Sequence, residues 1–248
     1  MPRELINVLA RDFGEAAELA EAEWFSLNGI QPRRLCFEKD AVVFREGEPA
    51  NSFLLVKEGV CFNHRHLEDG SRQIIDLYFP GEVVAPGELS RECHVSGLTT
   101  FSRVEFLAYD KDEIKDGFSQ SPRLSRLFIE LISQEQAHLT DRLVGVSRYC
   151  AKQRVANFLL EVRSRAGRAI DVVSGSDVTT VTLALPWARV AGGGDMVGVP
   201  QVLIADALGL SIVHVNRVLR GFKEAGYIRT HSQGIELLDI EGLKKAAG

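Results

Sequence analysis

Residues 33–110 contain many short runs in which apolar and polar residues alternate, and others, such as SFLLVKEGV at 52–60, that are apolar at consecutive positions. Alternation with a period of two is typical of strands that bury one face. Turn-forming residues separate the runs, for example EDGS at 68–71 and PGE at 80–82. Many short strands joined by such turns predict a compact antiparallel roll or barrel, which we assign to residues 1–120.

Helical periodicity replaces this alternation after Ser121-Pro122, where the proline suits the first turn of a helix. The predicted helix, 121–147, carries its apolar residues on one side: Leu124, Leu127, Phe128, Leu131, Leu139, Leu143 and Val146. One small roll is too short to cover that whole stripe. We therefore expect the helix to contact its own roll with one part and a partner helix with another.

Residues 148–248 are predicted to form a separate C-terminal domain, a winged helix-turn-helix. A helix is predicted over about 151–165, followed by a β-hairpin and a loop over 166–198. Residues 200–222 then have the spacing of a helix-turn-helix, and two short strands around a Ser-Gln-Gly turn follow as a wing. The predicted fold class is α+β: an N-terminal antiparallel β-roll, a long dimerisation helix and a C-terminal winged helix-turn-helix.

The helix-turn-helix pattern carries the strongest functional signal. Gly209 can supply the sharp turn, because glycine takes a positive φ without a side-chain penalty, and Ser211 can cap the second helix. The polar residues left exposed on that helix are His214, Asn216, Arg217 and Arg220. Such a helix suits the major groove of DNA, although two packed helices without any DNA-binding role can also have a glycine corner.

The net charge of −5 is unusual for a DNA-binding protein, but its distribution is uneven. Acidic residues dominate 1–30, whereas 211–223 contain Arg217, Arg220 and Lys223 and no acid. Phosphates respond to charge within a Debye length, so a local basic face is sufficient. No apolar run approaches the length of a membrane span, and the acidic start is unlike a signal peptide, so we expect a cytoplasmic protein.

The order of roll, long helix and winged helix-turn-helix resembles the CRP/FNR family of bacterial transcription regulators. The resemblance extends from about Phe25 to Asp239. It rests on these motifs: FREGE at 44–48, LEDGSRQI at 67–74, FPGE at 79–82, ADALGLS at 205–211 and VNRVL at 215–219. It implies a homodimer that reads a two-fold DNA operator, contacts RNA polymerase and has no catalytic activity.

The recognition helix departs from the family pattern at its start, because Ile212-Val213 stand where the family often has an Arg-Glu pair. We therefore expect an operator unlike those of the best-known members. Arg217 is the candidate for bidentate contact with guanine, and Val213 for contact with a thymine methyl. The other candidate DNA contacts are His214 and Asn216 at the bases, Arg220 and Gln201 at phosphates, and the capping Ser211.

The cyclic-nucleotide site of the family is only partly matched. Gly87-Glu88 are present, but the Arg-Ser pair that holds the cyclic phosphate in nucleotide-binding members is missing from the segment that follows. Arg91 is a possible substitute with the wrong spacing, and Thr140 matches a hydroxyl that those members place near the base. A buried phosphate without an arginine would lack its counter-ion, so we expect that cyclic AMP is not bound.

Two other signals remain open. Cys150 lies at the joint between the long helix and the DNA-binding part, where a thiol can gate domain orientation on oxidation, or be only a small residue at a hinge. In the alternative of a cupin-like metal-dependent enzyme, His64 and His66 share one face of a strand, and His94 and Glu68 complete a metal site. Against it, Glu68 follows His66 too closely for the usual cupin spacing.

Overall fold

The computed structural model describes residues 30–173, 195–232 and 234–248. Within those ranges the chain forms two compact units. The first comprises residues 30–63 and Tyr78–Thr140, and the second comprises His64–Leu77 together with residues 141–173, 195–232 and 234–248. A short hairpin, 64–77, is therefore grouped with the C-terminal part of the chain.

The N-terminal strands form the predicted antiparallel roll. Two sheets are present, with strand orders β1-β7-β3 and β2-β6-β4-β5. The strands are β1 Arg33–Phe37, β2 Val42–Phe44, β3 Ser52–Glu58, β4 Cys61–His66, β5 Arg72–Tyr78, β6 Gly97–Thr100 and β7 Val104–Asp110. β7 pairs antiparallel with both β1 and β3, with Leu55 opposite Leu107.

Both faces of β3 are buried, and the two faces belong to different apolar clusters. Phe53 and Leu55 join one cluster, whereas Leu54 and Val56 join the other. This division follows from the strand period of two, since successive side chains point to opposite faces. The run SFLLVKE is consequently apolar at consecutive positions rather than strictly alternating.

The long predicted helix is present as α2, Pro122–Arg148, after a shorter helix α1, Lys111–Gln120. Asp110 caps α1 by accepting from two backbone N–H groups of its first turn. Leu124 and Leu127 of α2 are fully buried against the first apolar cluster of the roll. The stripe becomes exposed further along, where Leu139, Leu143 and Val146 are 40%, 69% and 46% exposed.

Among its described residues, the second unit contains four further helices and a three-stranded sheet of order β8-β10-β9. Their bounds are α3 Ala151–Val173, α4 Gln201–Leu208, α5 Ile212–Glu224, α6 Ile240–Ala247, β8 Asp195–Val197, β9 Ile228–His231 and β10 Gly234–Leu237. The helix-turn-helix and both wing strands are as predicted. The hairpin expected over 166–198 is wrong for 166–173, which continue α3, and its stretch 174–194 lies outside the described residues.

A buried ionic cluster lies inside the second unit. The carboxylate of Asp76, on β5, accepts from Arg165 of α3 at 2.7 Å and from Arg142 near the end of α2 at 3.2 Å. Glu161 also accepts from Arg165, at 3.1 Å. Asp76 and Arg165 are each less than a tenth exposed, so these charges depend on one another for compensation.

Among the described helices, none by itself combines the length and apolarity needed to cross a membrane. The bent pair α4 and α5 satisfies that test only when its two members are added together.

Candidate nucleic-acid interface

The two helices of the helix-turn-helix meet at a sharp corner. α4 and α5 are bent by 111° relative to each other, across a break of three residues. Gly209 adopts a left-handed conformation with φ +61°, which fits the absence of a side chain at this position. The bend lies in the range that is typical of helix-turn-helix motifs.

α5 is anchored on one side and exposed on the other. The Oγ of Ser211 caps the helix by accepting from the backbone N–H of His214 at 3.2 Å. Val215, Leu219 and Phe222 are buried in the core of the unit. The exposed side carries Ile212, Val213, His214, Asn216, Arg217, Arg220 and Lys223, with Glu224 exposed at the end of the helix.

The cationic side chains of this exposed side are not neutralised by their surroundings. Within the described part of the chain, Arg217, Arg220 and Lys223 form neither an ion pair nor a side-chain hydrogen bond. Val213 is 69% exposed and Ile212 47% exposed, so apolar side chains also reach the solvent at the first turn. The helix therefore offers both unpaired cations and apolar contacts to a partner.

The wing is charged differently from α5. Arg229 and His231 on β9 both contact Glu236 on β10, at 3.1 Å and 2.9 Å. The hydrogen bond from His231 is the main cause of the lowered pKa of Glu236. The cations of the wing are thus partly satisfied within the protein, which leaves α5 as the more strongly unpaired basic element.

The hairpin 64–77 also contacts the helix-turn-helix within the second unit. Arg72 donates to Asp206 of α4 through Nε at 3.0 Å and through Nη2 at 2.7 Å. Gln73 donates from Nε2 to the carbonyl oxygen of Ala207 at 3.2 Å. These contacts involve the side of α4 and leave the exposed side of α5 uncovered.

In the roll, the residue that matches the family's nucleotide-binding glutamate is already engaged. Glu88 lies in a short 3-10 helix, Pro86–Ser90, and is buried. Its Oε2 is 2.6 Å from Nδ1 of His94, and its Oε1 accepts from the backbone N–H of Val95 at 2.9 Å. The His94 ring stacks on Phe44 with centroids 3.5 Å apart and an angle of 5°.

The same part of the roll does not fit a cyclic phosphate. The cavity beside Glu88, His94 and Phe44 has a volume of only about 10 Å³. The buried ammonium of Lys111 donates to the carbonyl oxygens of Ala50 and Arg91, and burial lowers its pKa. Arg91 itself is exposed. This cavity therefore offers a cyclic phosphate neither the space nor the arginine.

The other residues considered for ligand binding or redox sensing are solvent-facing. Gly87 and Thr140 are exposed, and the hydroxyl of Thr140 donates to the carbonyl oxygen of Gln136 in its own helix. Cys150 is exposed just before α3, and its backbone N–H donates to Oε1 of Gln153 at 3.0 Å. A redox role for Cys150 stays a prediction.

The histidine pair of the metalloenzyme alternative is present at the end of β4. The rings of His64 and His66 are 5.0 Å apart in an edge-to-face arrangement. Burial, followed by the charges of His66 and Arg72, lowers the pKa of His64 to about 4. Arg72 thus disfavours additional positive charge on His64.

Sequence reasoning missed two features of the basic surface. Lys152, at the start of α3, is exposed beside α5, and no sequence motif links the two helices. Gly221 was also overlooked, although a glycine within a helix, where it is unfavourable, is a signal that could have drawn attention to it.

A winged helix-turn-helix that exposes a short, unpaired basic helix defines a DNA-binding class of protein. Comparison with known families agrees with this geometry. The model of the Crp-like helix-turn-helix domain matches residues 153–246, and the model of the cyclic nucleotide-binding domain matches residues 34–121.

Individual relatives match almost the whole chain. The nitrogen fixation regulation protein FixK of Bradyrhizobium diazoefficiens is 31% identical, over 94% of this chain and 88% of its own. The transcriptional activator protein anr of Pseudomonas aeruginosa is 26% identical over 90% of this chain and 84% of its own. The structure of FixK2 from Bradyrhizobium japonicum has a TM-score of 0.73 at 22% identity, covering 88% of this chain and 98% of that one.

The chain belongs to the CRP/FNR family of DNA-binding transcription regulators. Nothing in these comparisons supports the cupin-like enzyme alternative.

Proposed function

We propose that the chain acts as a homodimer that reads a two-fold DNA operator with one α5 helix in each half-site. The observation that carries this proposal is the unpaired basic side of α5, which is capped by Ser211 and anchored by a buried apolar stripe. A helix of this kind enters the major groove, where base edges differ in their donors and acceptors. Paired half-sites would lie about 34–36 Å apart, one turn of DNA.

The roles of the DNA-facing residues follow from their chemistry. Arg217 is proposed to contact guanine O6 and N7, Val213 a thymine methyl, and Asn216 a base edge. Gln201 and Arg220 are proposed to contact phosphates, and Ser211 caps the helix start. His214, expected from the sequence to contact a base, is proposed instead to lie beside the sugar-phosphate backbone. All except the half-exposed Gln201 are exposed.

Regulation is proposed to act through the roll, without catalysis and without cyclic AMP. The occupied interior around Glu88 and His94 supports the second point, because a cyclic nucleotide has neither space nor a counter-ion there. We further propose that the protein is cytoplasmic and contacts RNA polymerase, as is typical of the family. Sequencing the DNA fragments that the purified protein selects, with and without candidate ligands, tests both specificity and regulation. Failure to enrich any sequence would refute the proposal.

Replacing Arg217 with alanine is expected to weaken operator binding by about 1–3 kcal/mol and to relax preference at one base pair in each half-site. The cause is loss of a bidentate contact that only guanine can satisfy. Competitive binding to a panel of single-base operator variants measures this change. An equal loss on every sequence would instead show that Arg217 contacts the sugar-phosphate backbone.

A further inference from the structure

A groove runs along one flank of the recognition helix α5. Its volume is about 270 Å³, and it is bordered by α3, α5 and the residues that lead into the wing. Lys152, His214, Arg217, Gly221 and Tyr227 line it, so all of its walls belong to the second unit. A volume near nine times the ~30 Å³ of a liquid water molecule is ample for a phosphate group.

The charged residues that line this groove are all cationic. Lys152 and Arg217 contribute two cations, His214 can contribute a donor, and none of the residues that line the groove is acidic. In the described ranges, the side chains of these three residues have no ion-pair or hydrogen-bond partner. Converging cations without a counter-ion repel one another, and a bound anion removes that repulsion.

Helical geometry places the groove beside the base-reading part of α5, and Arg217 borders both. At 100° per residue, Val213, Arg217 and Arg220 lie around the centre of the exposed side. His214 and Gly221 lie on the flank next to Lys152, and Lys223 lies on the opposite flank. When a helix enters the major groove, its centre faces base edges and its flanks face the phosphates of the two walls.

Gly221 keeps this flank open. A Cβ built at this position has no heavy atom within 4 Å, so the groove extends to the helix backbone itself. Glycine inside a helix costs roughly 1 kcal/mol relative to alanine. The space it provides allows close approach of a ligand to the helix.

We propose that this groove binds one backbone phosphate of the DNA half-site, with Lys152 as the main cation and His214 as a hydrogen-bond donor. The inference rests on the proposed function and adds to it. Lys152 and His214 fix the depth and register of α5 in the major groove, and Arg217 is thereby held at its base pair. His214 is thus a positioning residue and does not read the sequence.

The variant Lys152→Gln tests whether the positive charge of Lys152 contributes to phosphate binding. Affinity for the selected operator is expected to fall about fivefold at 0.15 M salt, and the slope of log Kd against log salt concentration to decrease by about 1. Binding to scrambled DNA of equal length is expected to fall by the same factor. Lys244→Gln is the matched control, because Lys244 lies on α6 and pairs with Glu241, outside the groove; its affinity and slope should equal those of the wild type.

Variants of Gly221 test whether the open space beside this residue is needed for DNA binding. Gly221→Leu fills the groove and is expected to weaken binding to all sequences without changing base preference, whereas Gly221→Ala adds only a methyl group and is expected to weaken binding less. His214→Gln should likewise weaken binding while preserving the selected sequence. A changed base preference in His214→Gln, or wild-type affinity in both Lys152→Gln and Gly221→Leu, would overturn the inference.

Two further outcomes are distinguished by the same experiments. If the wild-type protein selects no DNA sequence, the proposed function fails, and not the groove alone. Titration with inorganic phosphate, followed by the NMR signals of His214, tests a free anion as the occupant. Saturable millimolar-range binding that Lys152→Gln removes, together with unchanged DNA affinity in that variant, would refute the assignment to a DNA phosphate.

Discussion

Replacing Leu143 with glutamate is expected to convert the protein to monomers and to reduce operator affinity by about two to three orders of magnitude. Leu143 is 69% exposed on α2, and Leu139 and Val146 continue the same stripe. A charge in this stripe cannot be buried between two helices without a large desolvation cost. A monomer then binds one half-site at a time and loses the gain from simultaneous engagement.

Analytical ultracentrifugation and DNA binding to full and half operators measure this effect. Gln134→Glu is the matched control, since it adds the same charge on the far side of α2, where residue 134 is exposed. The control should remain dimeric and bind as the wild type does. A Leu143→Glu protein that still sediments as a dimer would place the subunit contact elsewhere.

Replacing Asp76 with alanine is expected to destabilise the second unit by about 3–5 kcal/mol. The substitution leaves Arg142 and Arg165 with their mutual repulsion and without the carboxylate that both contact. Arg165 is nearly buried, so water cannot compensate fully. Glu161 retains its contact with Arg165 and limits the loss.

Chemical denaturation, followed by circular dichroism, gives the change in the free energy of unfolding. Glu241→Ala is a suitable control because it removes only an exposed pair with Lys244 and should change stability by less than about 0.5 kcal/mol. A loss from Asp76→Ala no larger than that of the control would show that the cluster contributes nothing to stability. The double variant with Arg165→Met would then reveal whether an apolar replacement is tolerated.

The sequence predicted the elements whose local signals agree with their packing. The helix-turn-helix was predicted from Gly209, Ser211 and the stripe of Val215 and Leu219, and the turn, the cap and the burial are all present. The long helix was likewise predicted from its apolar stripe. In both cases, periodicity and capping signals indicate the same structure.

The failures have a different physical origin. Gly167 and the β-branched pair Val172-Val173 favoured a hairpin after residue 166, but α3 continues through them to Val173, beyond a buried stripe that includes Val162 and Ala166. Packing overrides such local propensities. The partners of Asp76 are 66 and 89 residues away along the chain, so no local pattern could have revealed that cluster.

Only the part of the candidate site that lies on a single helix was predicted, because local patterns do not reveal contacts between distant elements. The exposed residues of α5 lie on one helix and could be found from its period, whereas the groove requires Lys152 from another helix. The pairing of Glu88 with His94 was also missed, because a histidine six residues away has no characteristic motif. Sites assembled from separate elements depend on the tertiary fold.

The two exposed apolar side chains in the first turn of α5 have a thermodynamic consequence. Val213 and Ile212 expose hydrocarbon to water in the free protein, and both would be dehydrated if that turn approached thymine methyls. Removal of apolar surface from water gives association a negative heat-capacity change. The heat released on operator binding would therefore grow with temperature, and polar residues at these two positions would flatten that dependence.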